Sequence, residues 1–168
     1  IYQFYGDADI TAYMDNWYQT LGVEVVFACG GGIYTSACEA AVKVDGAKVI
    51  GVDVDQAAQI DGTYGTEGLV VTSAMKGLGA TVNTLLNEIQ AGNFDSFGGK
   101  VETLGLVGED PEANYVQIAP ATQFADGFTA EDYAALVAKM FAGEVTVSNA
   151  TDAMPATSIT VTDAGTVK

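Results

Sequence analysis

Apolar and polar positions divide the chain into short segments of alternating type. Ile1 to Tyr5 alternate with the two-residue period of a strand. From Asp7 the period lengthens. Ile10, Tyr13, Met14, Trp17, Tyr18 and Leu21 fall at helical spacing, with acidic residues at the start and Gly22 at the end, which predicts an amphipathic helix. Val23 to Cys29 is almost wholly apolar and rich in valine, the pattern of a central parallel strand buried on both faces. The triplet Gly30, Gly31 and Gly32 stops it. Ile33, Ala37, Ala40, Ala41 and Val44 then share one helical face, and Asp45 with Gly46 supplies a turn before a second buried strand, Ala47 to Val52.

A polar, glycine-rich passage from Ala57 to Gly68 follows, then a short strand at Leu69 to Thr72, then a helix lined by Leu78, Val82, Leu85, Leu86 and Ile89. This alternation predicts an α/β chain: a Rossmann-like, three-layer lobe with a mostly parallel sheet and helices on its faces. The loops that follow the strands then gather at one sheet edge, where such folds bind ligands. Near Gly98 the pattern shifts. Val101 to Val107 and Asn114 to Ala119 read as two strands around a turn at Glu109, Asp110 and Pro111, which divides the chain into segments 1–99 and 100–168. Thr129 and Asp132 form a capping-box pattern ahead of Tyr133, Leu136, Val137, Met140 and Phe141 on one helical face. The tail from Ala156 to Thr162 is β-prone and calls for a partner strand.

Composition narrows the function classes. The formal charge is −16, every basic residue is a lysine, and histidine is absent. Without arginine no bidentate phosphate clamp can form, and so acidic a chain is repelled by nucleic acid and by anionic membrane surfaces. Without histidine the commonest general base and metal ligand are missing. The expected partner is small and not strongly anionic. Cys29 and Cys38 are expected to be independently buried thiols rather than a disulfide. Nothing reads as a signal peptide or as a membrane-spanning run.

The local chemistry centres on Gly30, Gly31 and Gly32 after one strand and Asp53 at the end of the next. Glycines at a strand-to-helix turn let a ligand approach the backbone, and a neighbouring carboxylate can accept hydrogen bonds from vicinal hydroxyls. The alternative is a tight turn beside an exposed aspartate. The same elements imitate a dinucleotide fingerprint, and the competing functions are a nicotinamide-dependent oxidoreductase and a receptor of the same fold for a sugar or other hydroxylated signal; against the first, Thr35 stands where the third glycine belongs. Lys76, directly after the third strand, would share the edge with Asp53 and donate to ligand hydroxyls; otherwise it is a solvated lysine near a helix start. Tyr34 could stack on a ligand ring or simply pack. Asp53 with Asp55 falls short of a calcium motif, so no metal or cofactor is expected. Asn149 to Thr151 fits a glycosylation pattern that chance often supplies.

Four stretches together, Val25 to Gly32, Cys38 to Ala41, Gly51 to Gln56 and Val71 to Lys76, resemble the basic membrane protein family. Its members are substrate-binding lipoproteins of ABC importers, similar to the purine nucleoside receptor. The resemblance is good through about residue 92 and weaker beyond it. It implies one lobe of a type I periplasmic-binding-protein fold, presented at the cell surface to an ABC permease, with a nucleoside held between two lobes and no catalysis. It assigns ribose hydroxyls to Asp53 and Lys76 and maps the glycine turn onto Gly30 to Gly32. Ile33 to Ser36 replace the glycines usual there. The resemblance also implies that the first lobe and lipid anchor lie outside this chain. A fragment of this kind is expected to bind nucleosides weakly and to self-associate.

Overall fold

The computed structural model describes residues 3–165. In chain order it forms α1 (Ala8–Gln19), β1 (Val25–Phe27), α2 (Tyr34–Ala41), β2 (Lys48–Asp53), α3 (Ala57–Tyr64), β3 (Val70–Lys76) and α4 (Leu78–Gln90). A short α5 (Phe94–Phe97), a 3-10 turn (Pro111–Ala113), β4 (Val116–Ile118) and α6 (Ala130–Phe141) follow. The four strands form one sheet in the order β1-β2-β3-β4. The first three are parallel, and β4 returns antiparallel to β3. This is a Rossmann-like α/β architecture with a mostly parallel sheet.

Local chemistry explains where the elements start. The Asp7 carboxylate accepts the Ile10 amide at 2.9 Å, capping α1. That bond, with a second from Gln3, holds the carboxyl below its ordinary range. Ile10, Met14 and Tyr18 of α1 then meet Ala37, Ala40 and Ala41 of α2, whose small side chains allow close helix packing, over Val26, Val49 and Val70 of the sheet. Ile60 of α3 completes this core. The Tyr18 hydroxyl donates to the Lys48 carbonyl at 2.7 Å, tying α1 to the start of β2. At the other end of the chain, Thr129 and Asp132 cap α6 reciprocally, as their spacing predicts.

Several expectations need correction. The apolar run ending at Cys29 is not a central strand: β1 is a sheet edge, with Val26 buried and Val25 and Phe27 exposed. Its neighbours cover one face only. The polar, glycine-rich passage from Ala57 to Gly68, to which the sequence assigns no element, contains α3, which buries little besides Ile60 and ends on Gly65 in the left-handed region, so its apolar period is faint. Strand β3 runs on past Thr72 to Lys76. Val101 to Val107 forms no strand; at its end the amides of Val107 and Gly108 go to the Asn114 side chain rather than to a ladder. The tail at Ala156 to Thr162 is exposed and unpaired in any strand; the Ile159 amide is satisfied locally by the Thr157 hydroxyl. The expected first strand reduces to an isolated parallel bridge between Tyr5 and Gly32, and Ile1 and Tyr2 lie outside the described residues.

Both thiols are free, yet only Cys38 is buried; Cys29 is exposed. Burial pushes the Cys38 thiol up to about 12, so it is protonated and unreactive at neutral pH. Helix α4 forms with its expected apolar stripe, but none of its residues is fully buried. The segment after Gly99 supplies β4 to the same sheet as the preceding residues. No helix among the described residues is long and apolar enough to cross a membrane. Replacing Tyr18 by Phe removes the α1–β2 hydrogen bond while keeping the ring, and is expected to lower stability by about 1 kcal/mol in urea denaturation.

Candidate ligand-binding site

Parallel pairing of β1, β2 and β3 forces their C-terminal ends to one edge of the sheet. Asp53 is the last residue of β2 and Lys76 the last of β3, while Gly30 to Gly32 follow β1. The pairing of β2 with β3 is not regular. Val49 lies opposite Val70 but Ile50 lies opposite Thr72, so β3 carries one extra residue there. The shift sets Gly51 opposite Ser73 and Asp53 opposite Met75. The Lys76 ammonium meets the Asp53 carboxylate at 2.6 Å, with their side chains 67% and 41% exposed. Lys76 is held above its ordinary 10.5 first by the hydrogen bond to Asp53 and then by the carboxylate's charge. A pair this open to water adds little to folding; it remains accessible to a ligand.

Asp53 has an unusual backbone. Its φ is 69°, the one non-glycine residue with positive φ among those described. The Val54 amide donates to the Val52 carbonyl at 2.8 Å, closing a three-residue turn around Asp53. Aspartate tolerates this region better than most residues, but such turns store strain, and they cluster at functional sites. Beneath the turn, Gln56 is buried, its side-chain oxygen accepting the Val52 amide at 2.9 Å. The Gln56 amide donates to the buried Ser73 hydroxyl at 3.2 Å. Neither residue stood out in the sequence as part of a site, although both belong to the motifs that contain Asp53 and Lys76.

The glycine turn is partly occupied by the chain itself. The Gly32 amide donates to the Phe4 carbonyl at 2.5 Å, and a side chain on Gly31, whose φ is 47°, would strike that carbonyl at 2.7 Å. The close backbone approach that these glycines permit is therefore made by Phe4. The Phe4 ring reaches over Gly30 and is itself largely exposed. Tyr34 lies on the core side of α2, where its ring packs against the buried cluster and its hydroxyl accepts from Gln59 of α3 at 3.2 Å. Asp55 is committed elsewhere: it accepts the Ala57 amide at 3.1 Å and the Ala121 amide at 3.3 Å. No cluster of three metal-ligating side chains occurs among the described residues.

The structure thus brings Asp53 and Lys76 into contact, puts the glycine turn on the same sheet edge, and points Tyr34 to other partners. Chemically, the edge offers a carboxylate acceptor and an ammonium donor side by side, which suits a neutral group that both donates and accepts, such as a vicinal diol. In comparisons with known proteins, no family model matches the chain and no curated protein is significantly similar to it.

Two outcomes follow. Because Asp53 occupies positive φ, Asp53→Val is expected to destabilise by about 1–3 kcal/mol in urea denaturation, whereas Asp53→Asn, tolerant of that region, costs much less. Because the folded Lys76 value is raised, the pair's contribution is complete below 10.5 and is lost as pH climbs through the raised value. In the Asp53→Asn protein, NMR titration of Lys76 is expected to return to the ordinary midpoint.

Proposed function

We propose that this chain is a ligand-gripping lobe of a solute-capture protein, which holds a nucleoside-like ligand by its ribose hydroxyls and releases it unchanged. The observation that carries the reading is the Asp53–Lys76 pair, 2.6 Å apart and half open to solvent, on the edge where three parallel strands end. A charge-compensated pair presents both a donor and an acceptor without a net charge to neutralise, so it favours a neutral polyol over an anion. The chain's net charge of −16 adds to this, because the surrounding field repels phosphorylated ligands. The exposed Phe4 ring over Gly30 would form an apolar wall beside the pair.

The intact protein, on this reading, is a cell-surface receptor that passes its ligand to an ABC permease, and the affinity of this chain alone is weak because the ligand contacts a second lobe. The test is an NMR titration of the chain with inosine and with 2′,3′-dideoxyinosine, which tolerates millimolar affinity. Inosine is expected to shift the signals of Gly30 to Gly32, Asp53 and Lys76, and the dideoxy compound to bind about tenfold or more weakly, as loss of hydrogen bonds to charged groups implies. Asp53→Ala should remove the difference between the two. Equal binding of both compounds, or shifts confined to other surfaces, would overturn the reading. Tight binding of NADH in a parallel fluorescence titration would favour an oxidoreductase instead.

A further inference from the structure

We propose that Gln56 and Ser73 are positioning residues for Asp53: across the gap at Gly51 they hold its backbone in the left-handed turn from which the carboxylate reaches Lys76. The proposal takes Asp53 as a ligand-binding group, the reading argued above, but the lock can be tested with no ligand present.

The register of the sheet explains why a turn is needed. Residues paired across parallel strands share a face, and successive residues alternate faces. Asp53 pairs with Met75, so in a regular ladder its side chain would lie on the face of Met75, opposite that of Lys76. The positive φ of 69° breaks the alternation, and the carboxylate instead meets Lys76 at 2.6 Å. A strained turn persists only when its surroundings hold it.

Both ends of this turn are held. Before Asp53, the Val52 amide donates to the Gln56 side-chain oxygen at 2.9 Å; after it, the Gln56 amide donates to the Ser73 hydroxyl of β3 at 3.2 Å. Gln56 is 7% exposed and Ser73 fully buried. A Cβ on Gly51 would lie 2.6 Å from both the Gln56 oxygen and the Ser73 oxygen, so only glycine leaves room for the lock. Two polar side chains buried beneath the strand ends carry a desolvation cost, which the backbone amides of Val52 and Gln56 offset by donating to them.

Titration of the Lys76 ammonium, followed through its 13Cε signal, reads whether Asp53 is in place, and the backbone shifts of Asp53 read its φ. Gln56→Met, which keeps volume without an acceptor, and Ser73→Ala are each expected to return the Lys76 midpoint toward that of Asp53→Asn and to move Asp53 out of positive φ. Ser73→Thr, which keeps the hydroxyl, should retain the wild-type titration. Folded Gln56→Met and Ser73→Ala proteins in which Lys76 still titrates as in wild type would overturn the proposal. Should Gln56→Met fail to fold, Ser73→Ala, which removes a single oxygen, decides alone. The nucleoside titration reads the ligand and the lysine titration reads the lock, so either can fail without the other.

Discussion

Between β2 and β3, the space beside Gly51 is filled by the side chains of Gln56 and Ser73, and the course of the chain through the site depends on that contact. The Gln56 oxygen takes the amide of Val52, and the Ser73 hydroxyl takes the amide of Gln56. The loop between them is thereby shortened to a turn whose centre is Asp53. The extra residue in β3 is part of the same arrangement, since it sets Ser73 opposite Gly51. The displaced carbonyl of Val71 is not wasted: it accepts the Gln123 amide at 2.8 Å, which draws the segment after β4 along the sheet.

Much of this fold could be read from periodicity, because α1, α2 and β2 bury their apolar residues against one another and display the corresponding spacing. Misreadings arose where burial and hydrophobicity part company. Val25 and Phe27 are apolar yet exposed at a sheet edge, and nothing in one strand's composition says which strands flank it. Helix α3 has the opposite character, burying Ile60 alone among its residues, so its local pattern resembles a loop. Val101 to Val107 looks like a strand because of its valines and leucines, but a single buried side chain, Asn114, takes the Val107 amide at its end and the Gly108 amide just beyond it, from seven and six residues away. Such a long-range hydrogen bond leaves no trace in periodicity.

The candidate site was legible in one respect. Strand ends in a parallel sheet converge, so Asp53 and Lys76 could be assigned to one edge before any coordinates. Which groups would touch was not legible. The glycine turn that suggested an open approach for a ligand receives Phe4, a contact between residues far apart in sequence, and Tyr34 turns to the core and Gln59. Gln56 and Ser73 were hidden for another reason: as uncharged polar residues, they attract attention only when their burial is known.

Asp53 also bears on how this protein would respond to engineering. Selection for heat tolerance alone rewards residues that relieve unfavourable backbone angles, and glycine is the substitution that a φ of 69° invites. A library screened only for survival at high temperature would therefore tend to delete the carboxylate and leave Lys76 without its counter-ion. Robustness and recognition compete at this one position, so a hardened variant should be required to keep its aspartate.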